Sequence, residues 1–490
     1  PHMGHVLEKV LADVCARWFR LRGDEVRFQI GTDEHGIKIQ QTADREKMTP
    51  RALVDRNVPL FQDLYKRLGI SADVFIRTSD QKTHWPTVIE LWKRLQAAGV
   101  LEKRTYTGLY CTGCERFITK KELIDGKCPD HQIPPLEVQE ENWFFLLSKE
   151  QEWLTKLLKK EYTIVPSFRE KETTTLLEGG LEDVSFSRPK SSLSWGVPVP
   201  GDDNQTMYVW CDALTNYISG LGLLTDHAET KWWDDANVMC VIGKDIARFH
   251  ALIWPAMLKH AKIRTPDKLL IHGFLTSEGQ KMSKSIGNVV VPDDVISKYG
   301  VDALRFYLSH EIPVGNDGDF SWKRFGELYD AKLRNQLGNL LNRVLVLLKK
   351  EGGTIAVPES ATDAERAADG WKDYEKKMNA FDLHGAVQQA FELIASLNMG
   401  FDKAAPWKLA GEERLTMLSR FAESIRLAAL LLLPFIPDAA QKISRQLNVS
   451  YAEKMLDKEF IITKEMKEWG SQKEWKQVGD PAILFAPIEV

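Results

Sequence analysis

The chain has 490 residues and a formal net charge of −4, and 43% of its residues are hydrophobic. This length exceeds what one hydrophobic core usually serves, so we expect several domains, and the apolar content excludes a disordered or fibrous protein. The longest apolar stretch, Leu427 to Ile436, is interrupted by Pro434 and falls short of the roughly 20 residues that cross a bilayer. Three clustered and three scattered cysteines indicate a reducing compartment rather than a secreted disulfide scaffold.

The first predicted element is an amphipathic helix that follows His2-Met3-Gly4-His5. Apolar residues recur at helical spacing from Leu7 to Leu21, and Gly23 is a typical residue after a helix end. Alternation of apolar and polar residues from Val26 to Ile30 then predicts a strand. A loop, a helix and a strand in this order are typical of a βαβ unit whose first strand lies upstream of Pro1. We therefore expect the natural N-terminus to be missing.

The middle and the end of the chain have different patterns. Strand-like pieces around the clustered cysteines, from about Leu101 to Trp143, predict an inserted subdomain, and alternating strands and helices return from Thr206 to Leu275. Beyond Phe325 apolar residues follow helical spacing, with Ala361 to Asp369 predicted as a connection between helices. The predicted fold class is α/β: a Rossmann-like parallel-sheet domain with an inserted subdomain, followed by an all-α helical bundle.

Four residues of the inserted segment have the spacing of a zinc knuckle: Cys111, Cys114, Cys128 and His131. Each pair fits on one tight turn, and four sulfur and nitrogen ligands complete a tetrahedral site. A complete ligand set predicts one structural Zn²⁺ rather than a catalytic one, holding together a segment with little core. Unmetallated thiols and a nucleic-acid finger are the alternatives. Six basic and five acidic residues between Glu102 and His131 argue against the finger.

Two further motifs suggest chemistry on a polyphosphate. His2, Gly4 and His5 stand where a helix begins, and free backbone N–H groups at such a turn attract phosphate oxygens. Lys281-Met282-Ser283-Lys284-Ser285 stands on a loop beside a predicted sheet edge, where lysines can close over a polyphosphate. Alone, a histidine pair is more often a capped surface turn or half of a metal site, and a basic pentapeptide is usually a solvated loop. Together, His-x-Gly-His and Lys-Met-Ser-Lys-Ser resemble the paired signatures of class I aminoacyl-tRNA synthetases.

The resemblance extends over essentially the whole chain and is strongest to bacterial-type methionyl-tRNA synthetases. Besides the two signatures it rests on the segments 31–36 (GTDEHG), 195–200 (WGVPVP), 208–213 (YVWCDA), 243–246 (GKDI) and 272–274 (HGF). The resemblance implies that methionine and ATP give methionyl-adenylate and pyrophosphate, after which the methionyl group moves to the 3′-terminal adenosine of tRNA(Met). Such a reaction needs alignment and electrostatic stabilisation and no covalent enzyme intermediate.

The resemblance also implies roles for individual residues. The implied catalytic residues are His2, His5, Lys281 and Lys284. The implied ATP-binding residues are His2, Gly4, His5, Asp245, Lys281, Ser283 and Lys284, with Mg²⁺ accompanying the nucleotide. The implied methionine-binding residues are Asp33, near the substrate ammonium, and Trp210, Tyr217, Phe249 and His250, which form the wall of the pocket. An aromatic, unbranched pocket suits a flexible thioether and disfavours β-branched side chains.

The helical region carries a local basic stripe on this mildly acidic chain. Seven basic and two acidic residues lie between Lys323 and Lys350, and Asn339 and Arg343 stand one helical turn apart. The resemblance implies that these two residues read the CAU anticodon and that Trp407 stacks on one of its bases. Unpaired bases in RNA loops are read by such stacking and edge hydrogen bonds.

The expected domain limits follow from these assignments. They are 1–97 and 201–268 for the two halves of the Rossmann-like catalytic domain, 98–200 for the zinc-binding connective-peptide insertion, 269–328 for the Lys-Met-Ser-Lys-Ser loop and stem-contact region, and 329–490 for the helical anticodon-binding domain. Expected partners are ATP, L-methionine and tRNA(Met), including the initiator, and no membrane. No appended C-terminal tRNA-binding domain precedes Val490, which favours a monomer. We expect a cytoplasmic enzyme, with an organelle matrix left open by the missing N-terminus.

Other enzymes and a binding protein are the alternatives. Synthetases for leucine, isoleucine and valine carry a long editing insertion, for which there is no room between Leu101 and Tyr208. The cysteine enzyme uses an open zinc site, whereas this predicted site is closed. A small-molecule adenylyltransferase would leave the zinc insertion and the basic helices unexplained. A non-catalytic RNA-binding protein would not need both ATP signatures.

Overall fold

The computed structural model describes residues 1–114, 116–129, 131–282, 287–472, 475 and 477–488. The chain forms two compact units, each assembled from separate stretches of sequence. The first unit comprises Pro1–Val26, Leu64–Ser71 and His272–Val490, and the second comprises Arg27–Asp63 and Ala72–Ile271. These units are groups of residues that pack together and do not test the domain limits expected from the sequence, which stay a prediction.

Helices and strands are numbered here in chain order. The α-helices are α1 (Met3–Leu21), α2 (Ile37–Arg45), α3 (Pro50–Arg67), α4 (Trp85–Ala97), α5 (Gln151–Lys160), α6 (Ser167–Glu178), α7 (Val209–Ser219), α8 (Lys231–Asp234), α9 (Trp254–Ala261), α10 (Pro292–Tyr299), α11 (Val301–Glu311), α12 (Trp322–Leu328), α13 (Asn339–Lys350), α14 (Ala361–Asn379), α15 (Leu383–Ala404), α16 (Gly411–Leu432), α17 (Pro437–Gln446) and α18 (Lys464–Lys467). The strands are β1 (Gln29–Thr32), β2 (Val74–Arg77), β3 (Leu101–Cys111), β4 (Arg116–Ile118), β5 (Leu136–Phe145), β6 (Thr163–Val165), β7 (Val184–Ser185), β8 (Ser187–Pro189), β9 (Pro198–Val199), β10 (Asp202–Met207), β11 (Met239–Gly243), β12 (Lys268–His272), β13 (Leu275–Ser277), β14 (Gln280–Lys281) and β15 (Gly318–Phe320). Short 3-10 turns occupy Lys120–Glu122, Leu147–Glu150, Lys244–Ile246, Pro406–Lys408 and Ala452–Lys454, and π-helical segments occupy Phe249–Ile253 and Tyr329–Gly338.

Parallel strand pairs form the α/β part of the second unit. β1 pairs with β2 and β12 pairs with β6, both in parallel, and β11 lies next to β12. A side chain at Gly31 would place its Cβ 2.4 Å from the Ile76 carbonyl oxygen, so the close approach of β1 and β2 requires glycine. Helix α4 packs on α7 and α9, and their apolar faces share one core.

An antiparallel sheet is inserted between the parallel pairs. Its strand order is β4-β3-β5-β7, and the long β3–β5 ladder runs from the Leu101–Phe145 pair to the Tyr110–Leu136 pair. The clustered cysteines lie at the end of β3 and in the connection to β5. The predicted inserted subdomain is therefore confirmed.

In the first unit, helix α1 packs against α11, and α11 packs against α15. The buried carboxylate of Asp13 joins these elements, because it accepts hydrogen bonds from Arg17 (2.8 Å) and Ser71 (2.6 Å) and pairs with Arg305 (2.7 Å). Helices α13 to α17 complete the predicted helical region. The apolar residues that follow helical spacing beyond Phe325 include Leu337, Leu341 and Leu348, and these are buried, as that spacing predicts. Within the described residues, no helix has both the length and the apolar character needed to cross a membrane.

Three local predictions need correction or refinement. Ala361–Asp369 is not a connection but the first half of α14, which the Ser360 side chain caps by accepting from Asp363 N (3.2 Å). Strand β1 begins at Gln29 rather than Val26, because the Phe28 N–H donates to the Asp73 side chain (2.7 Å) instead of a strand partner. The apolar run through Leu275 divides at Gly273, where the Asn316 backbone approaches too closely for a side chain.

Candidate functional site

The candidate residues fall on both compact units. His2, Gly4, His5 and the anticodon candidates belong to the first unit, whereas Asp245, the methionine-pocket candidates and the clustered cysteines belong to the second. Each group is built by its own local structure.

The His-x-Gly-His segment forms the first turn of α1. His2 Nδ1 accepts from Gly4 N, and His5 Nδ1 accepts from His2 N, each at 3.1 Å. The two imidazole rings stack with their centres 3.7 Å apart. Burial, followed by the nearby His2, lowers the pKa of His5 to about 3, so this ring is neutral at pH 7. With Nδ1 as an acceptor, the His5 proton is on Nε2, which is a donor suited to a phosphate oxygen.

The hairpin that leads to the Lys-Met-Ser-Lys-Ser segment also lies in the first unit. Strand β13 contacts α1, and the backbone of Lys281 in β14 pairs with Thr276 of β13. This brings the segment preceding the second signature beside the helix that carries the first. Ser283 and Lys284 lie outside the described residues, and only the backbone of Lys281 is described.

Four methionine-pocket candidates form one aromatic cluster. The rings of Trp210 and Phe249 stack with centres 4.0 Å apart, and Trp210 meets the edge of His250 at 6.3 Å. The Tyr217 hydroxyl lies 2.8 Å from His250 Nε2, and His250 Nδ1 lies 3.0 Å from the carbonyl oxygen of Ile246. Because a carbonyl only accepts, Nδ1 carries the proton and Nε2 accepts from Tyr217. The His250 ring is thus held in one orientation and one tautomer.

Asp33 and Asp245 each lie next to an element that contributes to this cluster. Asp33 is exposed after β1, and Asn216 of α7 donates to its carboxylate at 3.4 Å. Asn216 immediately precedes Tyr217, so the acidic residue lies next to the helix that supplies part of the aromatic wall. Asp245 and Ile246 are consecutive residues of one 3-10 turn, and the Ile246 carbonyl oxygen is the group that holds His250 Nδ1. The structure therefore brings Asp33 and the aromatic candidates into one region of the second unit.

A set of buried polar residues beside this region was missed from the sequence. Asp212 accepts from His35 (2.6 Å) and His84 (2.7 Å), and His84 Nδ1 lies 2.7 Å from the Ser219 hydroxyl. His35 and Asp212 occur in the segments 31–36 and 208–213, which carry the family resemblance, so these two residues could have been selected as candidates. Nothing in the sequence linked those two segments to His84.

The four predicted metal ligands come together in the inserted sheet. The ligand atoms of Cys111, Cys114, Cys128 and His131 all lie within 4.8 Å of one another. Cys114 Sγ lies 3.4 Å from Cys128 Sγ and 3.2 Å from His131 Nδ1, close to the roughly 3.8 Å edge of a tetrahedral zinc–sulfur site. A side chain at Gly113 would collide with His131, with Cβ 2.3 Å from Cγ, so the close approach of His131 favours glycine here. This cluster can bind a metal ion, and its donors suit Zn²⁺.

The anticodon candidates also share one surface. Arg343 on α13 lies over the rings of Phe401 (4.6 Å to the centre) and Trp407 (5.5 Å), and its guanidinium donates to Asp402 at 2.7 Å. Trp407 follows α15 in a 3-10 turn and is 46% exposed. Asn339 is exposed one helical turn before Arg343. A basic group, an exposed indole and an amide are thus available to an external ligand.

The chain is similar in sequence to known proteins. The sequence matches the family model described as tRNA synthetases class I (M) over residues 1–135 and 132–345. It also matches the model described as the anticodon binding domain of methionyl tRNA ligase over residues 350–488. Curated methionine–tRNA ligases of Fusobacterium nucleatum and Caldanaerobacter subterraneus are each 39% identical over 100% of the chain, covering 78% and 77% of their own lengths.

Solved structures give the same result. The Mycobacterium tuberculosis methionyl-tRNA synthetase in complex with methionyl-adenylate superimposes with a TM-score of 0.86 and 36% identity over 91% of each chain. Another structure of that enzyme, also bound by methionyl-adenylate, has a TM-score of 0.89 and 34% identity, covering 99% of this chain and 97% of that one. The predicted fold class, Rossmann-like with a helical C-terminal region, is confirmed.

Proposed function

The chain belongs to the methionyl-tRNA synthetase family of class I, and from this premise we propose how its own residues carry out the reaction. The reaction is that of a methionine–tRNA ligase. Methionine and ATP give methionyl-adenylate and pyrophosphate, and the methionyl group then passes to the 3′-terminal adenosine of tRNA(Met). The predicted family, fold class and ligase activity are confirmed.

We assign the methionine side chain to the aromatic cluster. The observation that carries this assignment is the fixed ring of His250, held between the Tyr217 hydroxyl and the Ile246 carbonyl beside the Trp210–Phe249 stack. A thioether gains from contact with aromatic rings, and a narrow apolar slot rejects β-branched competitors. Asp33 offers a carboxylate for the substrate ammonium, which would select an amino acid over a simple thioether.

We assign ATP to His2, Gly4, His5 and Asp245, together with Lys281, Ser283 and Lys284. The neutral His5 ring and the first turn of α1 support this assignment, because Nε2–H and backbone donors at a helix start suit phosphate oxygens. Charge develops on the leaving pyrophosphate, so positioned donors and lysines lower the barrier without a nucleophile. Mg²⁺ accompanies ATP and screens the triphosphate.

We assign one structural Zn²⁺ to Cys111, Cys114, Cys128 and His131. Four ligands leave no open position for substrate, and the buried Cys111 and Cys128 form a small core with Ile118. The ion, when bound, supplies cross-linking rather than chemistry to the end of the β3–β5 ladder.

We assign the anticodon to Asn339, Arg343 and Trp407, and the expected ligand is the CAU loop of tRNA(Met), including the initiator. The exposed Trp407 and its neighbour Arg343 support stacking on an unpaired base. The domain limits of the sequence analysis, with the insertion at 98–200 and the anticodon domain at 329–490, belong to the same proposal. So do a monomeric state and a cytoplasmic location.

The test of the methionine assignment is ATP–pyrophosphate exchange with methionine, leucine, isoleucine, valine and cysteine. We expect exchange with methionine only. Tyr217→Phe removes the hydroxyl that holds His250, so we expect KM for methionine to rise roughly 2- to 10-fold, as for one buried hydrogen bond. Tyr374→Phe is the matched control, because its buried hydroxyl donates to the Leu431 carbonyl in the first unit, away from the methionine assignment. Preference for another amino acid would overturn the assignment.

A further inference from the structure

Asp212 lies at the centre of a buried polar group that has no assigned role. Asp212, His35, His84 and Ser219 form this group, named here the Asp212 network, and each of them is at most 5% exposed. Burial by itself would raise the pKa of Asp212, but His35 and His84 outweigh burial and lower it to about 2. The carboxylate is therefore ionised, and both histidines direct an N–H group at it.

The proton positions follow from this charge. His35 donates from Nδ1 and His84 donates from Nε2, so one carboxylate receives a donor on each of its oxygens. His84 Nδ1 lies 2.7 Å from the Ser219 hydroxyl, and that hydroxyl donates its single proton to the Asn216 carbonyl oxygen at 3.3 Å. Hydrogen bonds to an ionised acceptor are shorter and stronger than neutral ones, which fits the distances of 2.6 and 2.7 Å.

The network joins three separate segments. His35 belongs to the loop after β1, His84 precedes the first residue of α4, and Asp212 and Ser219 belong to α7. A buried ion group of this kind is rarely the best way to gain stability, since apolar residues of similar volume often stabilise as well or better. Its directional bonds do, however, fix the relative positions of the segments they join.

Helix α7 carries two functional faces. Asp212 and Ser219 are seven residues apart and share one face, directed at His84. Trp210 and Tyr217 are also seven residues apart and share another face, directed at His250. Positions two residues apart differ by roughly 200° around a helix, so the two faces are nearly opposite. Fixing Asp212 therefore fixes the rotation of α7 that presents Trp210 and Tyr217.

The same network reaches the loop that carries Asp33. His35 is two residues after Asp33, and the Asn216 side chain of α7 bonds Asp33 directly. We infer that Asp212, held between His35 and His84, is a positioning residue for methionine: it sets the aromatic wall on α7 and the Asp33 carboxylate at one fixed separation. This inference rests on the proposed methionine assignment.

The experiment compares matched substitutions at the two histidines. His84→Leu and His35→Leu remove the donors, whereas His84→Gln and His35→Asn keep an amide N–H near the position of the lost ring N–H. For the leucine variants we expect KM for methionine in pyrophosphate exchange to rise roughly 10- to 150-fold, the range of a hydrogen bond to a charged group. We expect kcat and KM for ATP to change little, and the amide variants to recover most of the methionine affinity.

A control separates positioning from general stability. His260 lies 2.8 Å from the buried Glu150, which also accepts from Lys259 at 2.6 Å, and this histidine–carboxylate pair of the same unit is outside the methionine assignment. We expect His260→Leu to lower the melting temperature and leave KM for methionine unchanged. Asp212→Asn, which keeps the size of the side chain, tests the network should a leucine variant not fold. Its amide cannot accept on both sides, so methionine affinity measured by tryptophan fluorescence should fall.

Two results would overturn the inference, and they are distinguishable. Leucine variants that raise KM for methionine and ATP equally, or that change only the melting temperature, would reduce the network to a structural role while the proposed function stands. A wild-type chain that neither binds nor activates methionine would overturn both the proposed function and the positioning role.

Discussion

Arg343 and Trp407 meet on one surface of the helical region, with the guanidinium carbon 5.5 Å from the centre of the indole ring. Asp402 and Phe401 hold Arg343 in place by a hydrogen bond and by stacking. The indole is 46% exposed, so its hydrophobic face remains available to a nucleobase.

Trp407→Ala should reduce aminoacylation of tRNA(Met) and leave adenylate formation intact. Loss of one stacked base corresponds to a roughly 5- to 150-fold lower kcat/KM for tRNA. Pyrophosphate exchange without tRNA should remain at the wild-type rate. Ile483→Ala, at a 77% exposed site of the same unit, is the control. Equal losses in both assays would refute the role of Trp407 in anticodon recognition.

Cys128→Ser should abolish stoichiometric zinc. Metal analysis of the purified chain should give one zinc per chain, falling well below one in the variant, because three ligands bind weakly. Hydrogen exchange should accelerate at the end of the β3–β5 ladder, because the proposed ion would cross-link the chain there. Cys240→Ser removes another buried thiol of the same unit and should keep the zinc. A zinc-free wild-type chain would contradict the assignment.

Asp302→Asn should stabilise the chain at neutral pH but not in acid. Burial, followed by the charge of Asp438, raises the pKa of Asp302 from 3.8 to about 6, although Ala439 N donates to it at 2.5 Å. A raised pKa contributes stability below the unfolded value, and that stability is lost as pH rises through 6. Asparagine remains neutral at every pH. The free energy of unfolding of Asp302→Asn should therefore exceed that of the wild type increasingly from pH 4 to pH 6, and by about 3 kcal/mol above pH 6.

Denaturant unfolding of the wild type and Asp302→Asn at several pH values measures this difference. Asp438→Asn removes a neighbouring charge without touching the buried group, so it should give a smaller gain in the same pH range. A pH-independent difference between the wild type and Asp302→Asn would show that Asp302 does not titrate as expected.

Arg305→Met should strongly destabilise the first unit. Arg305 and Asp13 form a fully buried ion pair, and the arginine also donates to the carbonyls of Phe435 (2.9 Å) and Pro434 (3.0 Å). Arg17 still pairs with Asp13, but the carboxylate loses its fully buried partner, and such a loss costs at most about 3–5 kcal/mol. The double variant Asp13→Leu, Arg305→Met should regain part of that loss. Arg445→Met breaks only an exposed ion pair with Glu453 and should have no measurable effect.

Local sequence patterns predicted the features that local geometry determines. The amphipathic spacing of α1 and its stop before Gly23, whose φ is +95°, follow from periodicity and a left-handed end residue. The spacing within each pair predicted the four zinc-ligand candidates, and their ligand atoms lie within 4.8 Å of one another. The start of α14 was missed although Ser360 precedes Asp363 by three residues, a spacing typical of a helix cap.

Long-range pairings account for what the sequence could not reveal. Asp212 meets His35 and His84 only after strands, loops and helices distant in the chain have packed, and no periodicity records such a meeting. The same applies to Arg343 and Trp407, whose proximity was not expected from spacing. The resemblance to a family supplied the pocket residues, because isolated aromatic positions are indistinguishable from ordinary core residues.

The first unit combines residues 1–26 with residues 272–490, which delays the completion of its fold during translation. Helix α1 is synthesised long before α11 and α14, so Asp13 finds its buried partner Arg305, and Trp18 its hydrogen-bond partner Asn379, only when those later helices exist. At about 5–20 residues per second, the roughly 290 residues between Asp13 and Arg305 take on the order of 15–60 s to synthesise. During that interval the face of α1 that packs on α11 lacks this cover, so the nascent chain exposes apolar surface that can aggregate.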